Sequence, residues 1–223
     1  MSKDTITLQQ ASAAIDASGL YATWTFLPVI DGTYVQELPS EQLLTTKLNG
    51  NKLLVGVSIR HAFLVLSAQM LTILQTNADE GALFVPANIT TEVDFENFVQ
   101  LNYPGLSTSD VANIVKLYPS TTAPVNPEAP LFATLGNTGP TALNQSIFAT
   151  GQQQRANNLY AEVTFICPSY WLAAAYSQPG KTAYKYQFSV PPAYHTSDIP
   201  GYFGPLSSVA NLAPEFQLAF MGT

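Results

Sequence analysis

The chain has 223 residues, of which 47% are apolar and 10% are charged, and this composition excludes an intrinsically disordered chain. Eight basic against fifteen acidic residues give a net charge of −7, which argues against nucleic-acid binding and docking on anionic membranes. One cysteine and two histidines are too few for a Cys/His zinc site or a disulfide framework, and no cofactor is predicted.

Apolar spacing and turn residues predict alternating helices and strands along the chain. Most predicted helices have apolar residues three and four positions apart. The strand at 184–190 alternates apolar and polar residues, and the apolar run at 52–56 is typical of a buried parallel strand. Helices are predicted at 5–16, 41–47, 91–101, 107–117, 151–165, 168–176 and from 214, with a proline-rich loop at 119–140. This alternation indicates an α/β fold with a largely parallel sheet.

Two histidines and one acidic turn are the candidates for hydrolytic chemistry. A hydrolytic relay needs a base that works near neutral pH, an acid that orients it and a nucleophile. His195 and Glu80 each follow a strand-like run, and α/β folds place their sites at such strand ends. Gly81 is expected to let the backbone turn sharply, so that the Glu80 carboxylate points into a crevice. The alternatives are a solvated acidic turn at Glu80 and a structural or solvated role for His61 or His195.

The sequence offers no nucleophile of the kind that α/β-hydrolases use. Their strained Gly-x-Ser-x-Gly turn occurs nowhere in the chain. The segments Gly105-Leu-Ser107 and Gly204-Pro-Leu-Ser207 lack the second glycine and a strand before it. Cys167 lies among apolar residues and proline, surroundings that keep a thiol protonated.

Four segments resemble, in the right order, the later part of the type-B carboxylesterases, the family of fungal lipases and cholinesterases. They are residues 26–32 (F-x-P-V-x-D-G), 54–56 joined to 76–84 (the G-x-N-x-D-E-G-x-x-F acid loop), 165–173 (a helix with a Cys-Pro pair) and 184–204 (a strand and the catalytic-histidine loop). The resemblance implies a partial α/β-hydrolase fold over residues 1–223. The N-terminal half of the family fold, with its serine elbow and oxyanion glycines, would then be missing.

On this resemblance, Glu80 is the acid and His195 the general base of a Ser-His-Glu carboxylic ester hydrolase. Its substrates would be small-molecule or lipid esters. Because the nucleophile is absent, we expect this chain to be inactive on its own. The family more usually has glycine directly after its histidine, where Thr196 stands here. The alternatives are a non-catalytic interaction module, as in cholinesterase-like adhesion proteins, and a gene-model fragment without independent function.

Residues 57–75 form an anomalous apolar insertion that is too short to span a bilayer. Removing these 19 residues joins Gly56 to Thr76 and restores an unbroken acid-loop motif. The corresponding codons can carry donor-like, branch-like and acceptor-like intron signals, so we predict a retained in-frame intron. The alternative is a genuine insertion helix that covers the site. In either case the insertion separates a strand end from Glu80 and adds apolar surface that we expect to favour aggregation.

Two sequons and the start of the chain bear on localisation. Asn88 and Asn144 are candidate N-glycosylation sites because each begins an Asn-x-Ser/Thr sequon. The family resemblance implies secretion, whereas the first residues show no apolar signal-peptide core. The sequence therefore leaves the compartment open.

Overall fold

A computed structural model describes residues 4–19, 28–48, 55–56, 72–120, 149–181, 183–189 and 193–199. The helices within these ranges are α1 (Thr5–Ser18), α2 (Pro39–Leu44), α3 (Glu92–Asn102), α4 (Thr108–Leu117), α5 (Gly151–Ala161) and α6 (Cys167–Ala175). The strands are β1 (Val55–Gly56), β2 (Thr72–Asn77) and β3 (Ala183–Phe188). A 3₁₀ turn, Glu80–Leu83, follows β2, and a π-helical turn, Glu162–Ile166, joins α5 to α6.

The three described strands form one parallel sheet with β2 in the centre. Thr72 pairs with Ala183 and Asn77 with Phe188, so β2 and β3 are in register over their full length. Parallel strands have their carboxyl ends at the same edge of a sheet, so the loops after β2 and β3 begin side by side. The described elements agree with the predicted α/β class.

The apolar core lies between α3, α4 and α5. Matched capping boxes start two of these helices: Thr91 with Asp94 in α3 and Ser107 with Asp110 in α4. The buried Arg155 guanidinium of α5 stacks 4.3 Å from the centroid of the Phe95 ring. The buried core residues are Val85, Ile89, Phe95, Phe98, Val99, Val111, Ala156 and Leu159. This packing provides a rigid support for the 3₁₀ turn after β2.

The main difference from the sequence prediction concerns β2. The sequence pattern places residues 72–75 in the apolar insertion and 76–84 in the acid loop, whereas Thr72–Asn77 is the central strand. Hydrophobic periodicity does not separate a buried strand from a buried helix in a short apolar run. The sequence also predicts an interruption at the Cys-Pro pair, between the helices at 151–165 and 168–176. The structure has no such interruption, because a π-helical turn joins α5 to α6.

Several predicted features lie outside the described residues. These are most of the loop at 119–140, the helix from 214, His61, Asn144 and residues 57–71 of the insertion. Among the described helices, none is both long and apolar enough to cross a membrane.

Candidate active site

The parallel sheet brings the two polar side chains that the sequence singled out into direct contact. Beyond the paired strands, the Ala78 amide donates to the Phe188 carbonyl and the Asp79 amide to the Ala193 carbonyl, at 3.0 and 2.9 Å. The loops after β2 and β3 therefore lie side by side up to the residues that carry Glu80 and His195. His195 Nδ1 then lies 2.5 Å from Glu80 Oε2.

Both members of this pair are shielded from water. The Glu80 side chain is fully buried and His195 is 4% exposed. A solvated acidic turn, the alternative for Glu80, is therefore excluded, and His195 is not a solvated histidine. An ionised carboxylate can only accept hydrogen bonds, so its contact with Nδ1 assigns the ring hydrogen to that nitrogen.

The second oxygen of Glu80 is held by the end of β2. Glu80 Oε1 accepts the backbone amide of Asn77 at 2.6 Å and its side-chain amide at 3.2 Å. A buried carboxylate needs such donors to replace its lost hydration. Both oxygens of Glu80 are thus engaged, one by the strand end and one by the imidazole.

A second buried carboxylate, which sequence reasoning missed, joins this network. Asp198 is fully buried in the turn that carries His195, and its Oδ1 accepts from Asn77 Nδ2 at 3.0 Å. The only sequence signal was an Asp three residues after the candidate histidine. Without the fold, nothing distinguished Asp198 from a surface aspartate.

Two aromatic rings pack against the His195 imidazole. The Phe84 ring meets His195 edge-on, with centroids 5.0 Å apart, and the Phe165 ring lies at 4.9 Å with a tilt of 33°. Phe84 comes from the end of the 3₁₀ turn and Phe165 from the π-helical turn. π-Helical turns are rare in proteins, and many of those that occur lie at functional sites. The contact of Phe165 with His195 places this one at the candidate site.

The other imidazole nitrogen is buried without a hydrogen-bond partner among the described residues. An unsatisfied buried nitrogen costs about 1–3 kcal/mol. Such groups are rare in native structures and concentrate at functional sites. His195 Nε2, on the ring side away from Glu80, is therefore the atom at which a reacting group would be expected.

Gly81 is required for a different reason from the one predicted. Its φ is not among the positive values found for Gly32, Gly151 and Gly180. Instead, a Cβ on Gly81 would lie 1.9 Å from the backbone oxygen of Asn157 in α5. The glycine thus allows the acid turn to pack directly on α5, and this contact fixes the position of the Glu80 backbone.

The histidine loop contains backbone conformations that side chains disfavour. Thr196 has φ +77° and Ala193 has φ +48°, so the residues at both ends of the Tyr194-His195 pair are left-handed. A β-branched residue with positive φ is an outlier, and such strain persists where the surroundings enforce it. Thr196 stands where the resembling family more usually has glycine, the residue that this conformation favours.

Two further titratable groups lie near the site. Burial lowers the pKa of Lys185 to about 8, while the Glu80 carboxylate partly opposes this shift. The Lys185 amine donates to Thr76 Oγ1 at 2.9 Å and lies over the Tyr170 ring. Burial, with a contribution from Glu162, raises the pKa of Cys167. This protonated thiol agrees with the expectation that Cys167 is not a nucleophile.

The described residues contain no group of three or more His, Cys, Asp or Glu side chains that could hold a metal ion. Of the two sequons, Asn88 is exposed, which is compatible with a glycan but does not test for one.

Comparison with known proteins finds that this chain is similar to carboxylesterases. No family model matches the chain. Carboxylesterase patB of Penicillium expansum is 29% identical over 197 residues, which cover 88% of this chain and 28% of that protein. Carboxylesterase patB of Aspergillus clavatus is 29% identical over 202 residues, 90% of this chain and 29% of that protein. The chain is related to fungal carboxylesterases. It spans less than a third of their length.

A solved structure supports the fold. EstA of Aspergillus niger matches 86% of this chain and 31% of its own, with a TM-score of 0.54 and 20% sequence identity. EstA has a fold of the α/β-hydrolase type, and the helices and small parallel sheet described here are consistent with part of it.

Proposed function

We propose that this chain is the acid-and-histidine portion of a serine carboxylic ester hydrolase, with Glu80 as the acid and His195 as the general base. The observation that carries the proposal is the buried Glu80–His195 pair with a second, unpartnered ring nitrogen. The relationship to carboxylesterases supports this reaction class, and we expect small-molecule or lipid esters as substrates.

The geometry suits general base catalysis at Nε2. Glu80 holds the hydrogen on Nδ1, so the lone pair is on Nε2, which takes the proton of a serine hydroxyl as its oxygen attacks the ester carbonyl. The buried carboxylate stabilises the imidazolium that results. Nε2 then gives the proton to the departing alcohol, which leaves an acyl-serine. Water hydrolyses this intermediate by the same proton transfers, and the serine is regenerated.

In this proposal the serine comes from residues outside this chain, because the sequence contains no Gly-x-Ser-x-Gly turn. A partial α/β-hydrolase domain, whose N-terminal half carries the nucleophile and the oxyanion donors, fits this lack and the short coverage of the relatives. We therefore expect residues 1–223 alone to be inactive.

The strand register supports an insertion at 57–75. Val55 pairs with Leu74 and Gly56 with Gln75. If Gly56 were joined directly to Thr76, Val55 and Gly56 would themselves occupy these two levels of the central strand. Leu74 and Gln75, at the end of the insertion, thus occupy the two positions of the central strand that Val55 and Gly56 would otherwise take. Val55 and Gly56 form the neighbouring strand β1 instead. A retained intron explains this duplication; a spliced message that still contains these codons would rule that origin out.

Complementation tests the function. The chain is co-expressed with the part of Penicillium expansum carboxylesterase patB outside the matched 197 residues, and the purified complex is assayed with short-chain p-nitrophenyl esters. We expect turnover that falls by about 10³-fold or more in His195→Gln. Cys167→Ser is the matched control and should keep the parental rate.

Two results would count against the proposal. One is a folded complex without turnover, which would favour a non-catalytic interaction module. The other is turnover that His195→Gln leaves unchanged.

A further inference from the structure

We infer that Asp198 is a positioning residue that holds the Glu80 carboxylate through the side-chain amide of Asn77. The inference rests on the proposed function for its catalytic meaning. It concerns a carboxylate outside the Glu80–His195 pair, which reaches that pair through Asn77.

The first argument is the hydrogen-bond geometry of one amide group. Asn77 Nδ2 has two hydrogens, and it reaches Asp198 Oδ1 at 3.0 Å and Glu80 Oε1 at 3.2 Å. All three side chains are fully buried, so each bond is made away from water. One nitrogen therefore bridges two carboxylates that belong to different loops.

The second argument is that nothing else described orients this amide. Asn77 Oδ1 is buried and has no hydrogen-bond partner among the described residues. An amide flip would turn this oxygen toward two carboxylates, which would repel it. The donor bonds alone thus fix the orientation, and the shorter of the two ends on Asp198.

The third argument is the position of Asp198 in the chain. It lies three residues after His195 in one tight turn, in which the Ser197 amide donates to the Tyr194 carbonyl at 2.9 Å. The bond from Asn77 to Asp198 therefore ties the histidine turn to the strand end that carries Glu80. Loss of this tie would let the acid and the base drift apart, and a misplacement of about 1 Å is costly in catalysis.

The test uses the full chain and needs no nucleophile. Selective ¹⁵N-histidine labelling gives two imidazole spin systems, because the chain has two histidines, and His61→Gln assigns them. The readouts are the His195 tautomer and the exchange of its Nδ1 proton with water. We expect the parent to show the Nδ1-protonated tautomer with slow exchange.

Removal of the Asp198 acceptor should loosen the His195 contact. In Asp198→Ala we expect the Nδ1 proton to exchange about tenfold faster, while Asp198→Asn, which keeps an acceptor oxygen, stays within about twofold of the parent. Ser197→Ala is the matched control in the same turn, because this hydroxyl has no hydrogen-bond partner among the described residues. It should leave both readouts unchanged.

The outcomes separate this inference from the proposed function. A parent without the Nδ1-protonated tautomer would contradict the Glu80–His195 pair itself. A parent that shows it, with a folded Asp198→Ala variant that exchanges at the parental rate, would overturn only the role of Asp198. If Asp198→Ala does not fold, Asn77→Leu breaks the same bridge from the other side, and unchanged exchange in that variant would overturn the inference.

Discussion

Single residues in the site have unusual surroundings, and each has a physical cause. Glu80 is a fully buried carboxylate that is stable there because both of its oxygens accept hydrogen bonds. Thr196 is held at positive φ, and Lys185 is an amine partly withdrawn from water. These local costs are typical of functional sites, where geometry matters more than the stability of one residue.

Thr196 offers a direct measurement of backbone strain. We expect Thr196→Gly to raise the free energy of unfolding by about 1 kcal/mol, because glycine adopts φ +77° without a clash of Cβ. Thr196→Ala is the control, since alanine keeps the Cβ and should gain much less. Urea unfolding monitored by tryptophan fluorescence gives both values. Equal effects of glycine and alanine would show that strain is not the cause.

Lys185 should make stability depend on pH in the alkaline range. The pKa of this amine is lowered to about 8 by burial, against about 10.4 in an unfolded chain. Between these values the unfolded state binds more protons, so the contribution of Lys185 to stability rises with pH. The expected gain is about 1 kcal/mol, well below the full linkage value, because the amine is only partly shielded from water.

Lys185→Met should lose this alkaline gain. The measurement is the difference in free energy of unfolding between parent and variant at pH 7.5 and pH 10. Contributions that are the same in both proteins cancel in this difference. A constant difference across the range would contradict the prediction.

Among the elements, the 3₁₀ turn and α5 are coupled by direct backbone contact. A side chain on Gly81 would overlap the carbonyl group of Asn157, with the added Cβ 1.9 Å from its oxygen and 2.8 Å from its carbon. The helix cannot yield without moving the Arg155 and Leu159 packing of the core. Glu80 is therefore positioned by α5 as well as by the sheet.

Gly81→Ala should be strongly destabilising. We expect a loss of at least about 3 kcal/mol in the free energy of unfolding, because a backbone group and not a flexible side chain blocks the new methyl group. Gly105→Ala is the control, since its added Cβ has open space, and its effect should be within about 0.5 kcal/mol. Chemical denaturation measures both. A Gly81→Ala variant as stable as the control would refute the close contact.

The helix α1 contrasts with these packed elements. It begins with an Asp4 cap whose side chain accepts the Thr7 amide, yet it has no buried residue. Its apolar residues Ile6, Leu8 and Ile15 are each about half exposed or more. Helical spacing predicted this helix correctly, but the spacing of its apolar residues does not identify the surface against which they would pack.

On the scale of the whole molecule, the site is shared between two distant parts of the sequence. Glu80 and His195 are 115 residues apart, and α3 to α6 lie between them. The pairing of β2 with β3 supplies this long-range contact. Any change that moves β2 therefore acts on the site.

Deletion of residues 57–75 should preserve the site. We expect the shortened chain to place Val55 and Gly56 in the central strand, to keep the slow-exchanging Nδ1 proton of His195, and to give a higher soluble yield. The measurements are the ¹⁵N-histidine spectrum and the soluble fraction after expression. As a control, deletion of a stretch of equal length from 121–148 removes no residue of the described strands and should not improve the yield. An unfolded deletion variant beside a folded parent would show that the inserted strand is integral to this protein.

The sequence by itself indicated the α/β class and the described helices to within a few residues, and it singled out the two polar side chains that meet in the structure. Helical spacing, caps and strand alternation are local signals, so they can be read from one chain. Only the tertiary structure decided that Thr72–Asn77 is the central strand, that Gly81 is needed for contact with α5, and that Asp198 joins the site. Each of these depends on contacts between segments far apart in the chain, which neither periodicity nor composition records.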